Sequence, residues 1–246
     1  MEHASDLFHW LPYLTAAALF LGLLRRLRRW RRAAARPAPL FPVPDATPAA
    51  WAKIAAEVCL LGGRRNAFTS GIVAAWSLHA ALFLLAVGHC RAVADFPGLW
   101  AVLGLTVQDV DAFGAVAGSA AGFAALAVMA ALTVRRLASP AVRVASRPQD
   151  FLALALLAAV VASGLFMRLA GRTELADVRA YFAALAALRP GPMPQAPGFA
   201  VHFLLAQALA VYLPWGKLLH AFGVFPAKAG LRAATFPPAD AAGGAS

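Results

Sequence analysis

Fixed charges cut this chain into uncharged runs of a length that only a bilayer-crossing helix explains. Asp6 to Arg25 encloses 18 residues without Asp, Glu, Lys or Arg, Arg65 to Arg91 encloses 25, and Asp111 to Arg135 encloses 23. Asp150 to Arg168 encloses 17, and Arg189 to Lys217 encloses 27 behind a proline-rich lead-in. A spanning helix needs about 20 apolar residues, within a range of roughly 17 to 25. The runs therefore predict an all-α membrane protein, a bundle of five transmembrane helices over about 7–24, 67–89, 114–134, 151–170 and 199–221. They are continuous and rich in Ala and Leu, which excludes the alternating strands of a membrane barrel. Composition agrees: 61% of residues are hydrophobic and 13% charged, half the roughly 25% charge of a soluble chain. A water-soluble enzyme is excluded.

The remaining charge is lopsided, 22 Lys and Arg against 11 Asp and Glu. In a membrane chain this excess orients the helices rather than binding nucleic acid, and no nucleic-acid partner is expected. Sixteen cations, including the RRLRRWRR run at 25–32, fall in the segment between helices one and two, the loop between three and four, and the tail. Five fall on the opposite side: Arg91, Arg168, Arg172, Arg179 and Arg189. The positive-inside rule then puts the N-terminus outside and the C-terminus in the cytoplasm. The expected domain is 1–232, with 233–246 a flexible tail, in the cytoplasmic (inner) membrane of a bacterium as a multi-pass protein. The start lacks a signal peptide's basic region, so the first helix is expected to be retained. Prolines 37, 39, 42, 44 and 48 mark an extended connection, 51–61 an amphipathic stretch, and 173–188 a surface helix outside. The two cysteines, Cys59 and Cys90, are too few for a cluster or zinc finger.

Four of the six histidines lie in apolar spans: His79 and His89 on helix two, His202 and His220 on helix five. One intramembrane histidine is ordinarily a packed residue. Four, divided two and two between antiparallel helices, match inner with inner and outer with outer. An ionisable side chain in lipid is costly and points to function. The 10-residue spacing on helix two is about 15 Å and the 18-residue spacing on helix five about 27 Å. Eighteen residues are five whole turns, so both helix-five rings are predicted to face one way. Helix tilt and a bend at Pro214 and Gly216 would absorb the mismatch. Zinc favours three or four protein ligands. Two imidazoles per level among Ala, Gly and Leu suit a macrocycle ligated on both faces, so two haem b groups are expected. His79 and His220 would ligate the iron of the inner haem, and His89 and His202 that of the outer one.

These residues carry a resemblance. The histidine spacings on the second and last of five helices are similar to those of the respiratory nitrate reductase gamma subunit, the cytochrome b of that enzyme. RRLASPAVR at 135–143 and LPWGKLLH at 213–220 also resemble that superfamily. The run from Gly164 to Pro190 and KLLHAFGVF lean to a sister branch, the cytochrome b subunit of the dissimilatory sulfite reductase-associated membrane complex. The nitrate enzyme has a quinol-pocket Lys after helix two; LTVQDVDAF here has none, which favours the sister branch.

The resemblance implies exchange of electrons between a quinone or quinol (menaquinone or ubiquinone) and a cytoplasmic iron–sulfur subunit, within a membrane complex of further subunits. It implies a quinone-linked oxidoreductase subunit in sulfur metabolism, not an enzyme on its own, with a nitrate reductase gamma subunit as the alternative. Electrons would pass through both haems, in either direction. Quinone-site candidates at the outer rim are His89, Arg91, Gln108, Asp109 and Asp111, although for the two aspartates a helix-three N-cap or a solvated loop charge is the favoured reading. Haem-propionate candidates are Arg168 and Lys217, with snorkelling to headgroups as the plain alternative for Arg168. A haem-free proton-coupled transporter or a membrane anchor is the rival of another class.

Overall fold

The computed structural model describes residues 2–34, 52, 55–56, 70–171, 173–189 and 191–220. The extended connection at 37–48, most of the stretch at 51–61, Cys59 and the tail at 233–246 lie outside the described residues. The chain divides into two compact units, one of Met1–Leu19 with Thr69–Tyr212 and one of Phe20–Phe68 with Leu213–Ser246.

Every regular element among the described residues is helical. These are α1 (Glu2–Ala34), α2 (Ser70–Cys90), α3 (Pro97–Val102), α4 (Val107–Ala138), α5 (Pro140–Ala145), α6 (Pro148–Ala170), α7 (Leu175–Ala186) and α8 (Phe199–Tyr212). A single 3-10 turn follows at Lys217–Leu219. Among the described residues, α2, α4 and α6 are long and apolar enough to cross a membrane, and α8 is a shorter apolar helix. In lipid a backbone must satisfy its own hydrogen bonds, which is why the uncharged runs resolve as helices. The short α3 and α5 lie in loops where the sequence reading placed no element; both begin at a proline, a residue suited to the first helical turn. α7 falls inside the surface helix expected at 173–188.

Within the first unit, α2 packs on α4, α4 on α6, and α6 on α8, in chain order. Leu78 and Ala81 of α2, Ala121, Ala125 and Met129 of α4, and Val161 and Leu165 of α6 form one core. Small residues let the helices approach closely. A Cβ on Gly122 would lie 2.8 Å from Leu165 Cδ2, so a side chain at that crossing would have to displace Leu165. A second cluster joins α7 to α8 through Val178, Tyr181, Leu185, Phe199 and Phe203. Tyr181 packs edge-on against both phenylalanines, at ring-centroid distances of 6.2 and 5.7 Å. Tyr13 of α1 caps this cluster, its hydroxyl donating to Leu185 O at 2.9 Å.

The last helix differs from expectation. The span expected over 199–221 ends as α8 at Tyr212, followed by a turn and the separate 3-10 turn. Pro214 has no N–H to continue the ladder and disfavours the helical region for Leu213. The five unbroken turns between His202 and His220 are therefore absent, and the common facing of the two rings deduced from them does not follow. In the second unit, Pro214 lies against Gly22, where a Cβ would be 2.7 Å from the proline ring. The Arg25 guanidinium stands 5.7 Å over Trp215. An apolar pocket of about 320 Å³ is lined there by Phe20, Leu23, Leu24, Leu27, Trp30 and Leu219, with Arg26 at its edge.

Replacing Gly122 with Val should destabilise the protein by about 1–3 kcal/mol, the usual cost of overpacking. Thermal unfolding in detergent should show a lower Tm for Gly122→Val. Adding Leu165→Ala should recover part of the loss.

Candidate functional site

Histidine has two ring nitrogens, and the partner of one decides what the other can do. At His79, His89, His202 and His220 alike, Nδ1 meets a main-chain carbonyl. His79 Nδ1 lies 2.6 Å from Ala75 O, His89 Nδ1 2.6 Å from Leu85 O, and His220 Nδ1 2.8 Å from Lys217 O. His202 Nδ1 lies 3.1 Å from Val160 O. A carbonyl oxygen only accepts, so Nδ1 is the protonated nitrogen and the lone pair belongs to Nε2. This is the tautomer that ligates a metal through Nε2 with its other nitrogen oriented by the main chain.

His89 and His202 come together. Their ring centroids are 6.1 Å apart and their planes 22° from parallel. His89 sits in the last turn of α2 and His202 in the first turn of α8. The two helices do not pack along their lengths among the described residues, and their approach is made by the two rings. The height of His202 is set by Gly198, whose carbonyl accepts from His202 N at 2.9 Å. Gly198 has φ 80, and a Cβ there would lie 2.8 Å from Phe166, so no other residue fits this turn easily. His79 lies in the first unit, on α2, and His220 in the second, just after the 3-10 turn.

The polar candidates at this end have separate fates. Arg91 and Asp111 form an ion pair at 2.7 Å, which joins the end of α2 to the start of α4. Arg91 also meets Asp95 at 3.3 Å, and Arg179 of α7 meets Asp95 at 3.7 Å while donating to Arg91 O at 3.1 Å. Asp109 closes a capping box with Thr106 on α4: Asp109 N donates to Thr106 Oγ1 at 3.1 Å, and Thr106 N to Asp109 Oδ2 at 2.9 Å. Its role there is local. Gln108 is exposed on the same first turn. Arg168 donates to Gly114 O at 3.1 Å and lies over Gly118, where a Cβ would meet its Nη2 at 2.9 Å. Lys217 is exposed and opens the 3-10 turn of the second unit.

Sequence reasoning missed four residues at this end. Asp95 and Trp100 belong to the ion network: the Trp100 indole donates to Asp95 Oδ1 at 2.9 Å. The available signal was the Arg91/Asp95 spacing of four. Ser163 and Gly164 of α6 contact His202, through a Ser163 Oγ to His202 Nδ1 distance of 3.0 Å and a glycine face against the ring. Their signal was a lone hydroxyl in the apolar run of α6. Among the described residues no group of three or more His, Cys, Asp or Glu is placed to hold a metal ion, so a zinc-type donor set is lacking there.

Residues 69–229 match the nitrate reductase gamma subunit family, and that stretch contains all four histidines. The chain belongs to this family. It is also similar to the Hdr-like menaquinol oxidoreductase cytochrome b-like subunit of Archaeoglobus fulgidus, 33% identical over 155 residues, covering 60% of this chain and 46% of the relative. The protein of the same name from Archaeoglobus profundus is 30% identical over 109 residues, covering 42% of this chain and 32% of the relative. The matched stretch is thus less than half the length of either relative.

The rim network makes a pH prediction. The Trp100 indole N–H lowers the Asp95 carboxyl to about 2 against the opposing effect of desolvation, with Arg91 and the Phe96 N–H adding to the lowering. A depressed folded-state value means that the carboxylate stabilises the fold fully above its unfolded value of about 3.9. That stability is lost as pH falls from there towards about 2. Asp95→Asn should therefore lower Tm at pH 7, and the gap to the unmodified protein should narrow steadily below pH 4 in melts at constant ionic strength.

Proposed function

We propose that this chain is a membrane cytochrome b subunit that exchanges electrons between a quinone and a cytoplasmic iron–sulfur partner. The observation that carries the proposal is the His89–His202 pair. Two imidazoles that shared one iron through nitrogen bonds of about 2 Å each would stand about 6 Å apart between ring centroids. The observed 6.1 Å has that value, and both rings have their lone pair on Nε2. The donor set also fits: two imidazoles come together, and among the described residues no group of three or more His, Cys, Asp or Glu is placed to hold a metal ion. Haem bound there supplies reversible one-electron chemistry.

His89 and His202 are proposed as ligands of the outer haem iron, and His79 and His220 as ligands of the inner. Each ligand's Nδ1–H is anchored on a carbonyl, which orients the ring and raises the donor strength of Nε2. Arg168 is proposed to hold a propionate of the outer haem and Lys217 one of the inner. For quinone, the rim beside His89 offers the paired Arg91 and Asp111, one side chain that donates hydrogen bonds and one that accepts them. The relatives' printed name supports menaquinol as the exchanged species. The resemblance to the sulfite reductase-associated branch supports placement in a complex of sulfur metabolism. The five-span arrangement, with its N-terminus outside and C-terminus in the cytoplasm of an inner membrane, is part of the same proposal and rests on the charge distribution.

A reduced-minus-oxidised spectrum of the purified protein should show a b-type signal with about two haems per chain. His89→Ala and His202→Ala should each remove about half of it and abolish reduction by menaquinol analogues, whereas His9→Ala should leave both intact. Absence of a b-type signal, or full haem content in both ligand variants, would overturn the proposal. Co-purification from the native membrane should identify the iron–sulfur partner.

A further inference from the structure

The four histidines are not held alike. His79 and His89 hydrogen-bond the carbonyl four residues earlier in their own helix, and His220 the carbonyl three residues earlier in its own turn. His202 reaches a different helix, with Nδ1 3.1 Å from Val160 O and 3.0 Å from Ser163 Oγ, both on α6. Ser163 Oγ donates to that same Val160 oxygen at 2.9 Å. Its proton is thereby engaged, and its lone pairs are turned to the His202 Nδ1–H. A helical serine commonly bonds a carbonyl three or four residues earlier, and that alone would be ordinary. Here the same hydroxyl and the same carbonyl converge on an imidazole proton from the neighbouring helix. The next residue, Gly164, lies against the ring itself. A Cβ at that position would be 3.2 Å from His202 Cε1 and 3.5 Å from Nδ1.

We propose that Ser163 and Gly164 are positioning residues for His202, the hydroxyl orienting the imidazole and the bare glycine seating it, so that together they set the ligand strength of Nε2. The inference rests on the reading of His202 as an iron ligand. An acceptor on Nδ1–H shifts electron density to Nε2, and a stronger nitrogen donor favours ferric over ferrous iron. Two acceptors on one N–H do this more than one. Ser163 thus acts through His202 and lowers the potential of one haem only, because its contact is with one ligand only.

The test is a redox titration of the haem-loaded protein followed optically, with the outer haem identified as the one lost in His202→Ala. Ser163→Ala should raise the midpoint potential of that haem and leave the other unmoved. Ser163→Thr, which keeps the hydroxyl, should return the potential close to the unmodified value. Gly164→Val should lose most of the outer haem and retain the inner one. Unmoved potentials in Ser163→Ala, equal movement of both haems, or a Thr variant that behaves as the Ala variant would each overturn the inference. Unmodified protein without a b-type spectrum would instead overturn the functional reading, and this inference with it.

Discussion

An imidazole inside an apolar helix assembly must satisfy two nitrogens of opposite character, and the rest of the site depends on how that is arranged. Where lipid or packed side chains keep water away, an unmatched polar group costs several kcal/mol. The chain gives the donor to main-chain carbonyls at all four positions. The lone pair then belongs to the other ring nitrogen, Nε2. Side-chain anchoring and helix integrity are compatible here because a helical carbonyl keeps a second lone pair after its own ladder bond is made.

Close packing supplies the other half of the arrangement. Glycines on α4 and α6 bring the helices near enough for side chains of one to work on those of the next: Gly118 against Arg168, Gly122 against Leu165, Gly164 against His202. The aromatic cluster of Tyr181, Phe199 and Phe203 then secures the first turn of α8 beside His202. The ion network of Arg91, Asp95, Asp111 and Arg179 fastens the end of α2 just beyond His89. Each member of the ring pair is therefore steadied by a different force, one apolar and one electrostatic.

Much of this was legible in the sequence because it follows from long-range averages. Uncharged runs placed α2, α4 and α6, since lipid admits few alternatives to a helix. The opposed order of the histidines brought His89 and His202 to one level, and the rings do meet. What escaped depends on single turns and cross-helix contacts. Pro214 ends the last helix at Tyr212, and one broken turn cancels a facing argument built on periodicity. The sequence favours a capping role for Asp109 but does not name Thr106 as its partner. Ser163 gives no sign of its partner, because the partner lies 39 residues away on another helix.

The contrast between the two rings bears on motion. Helix shifts of about 1–2 Å are common where packed elements slide, and such a shift breaks a hydrogen bond spanning two helices while leaving one within a helix intact. His89 carries its acceptor, Leu85 O, along with it. His202 does not, since its acceptor stays behind on α6. Sliding of α8 along α6 would consequently be felt at one imidazole and not at the other.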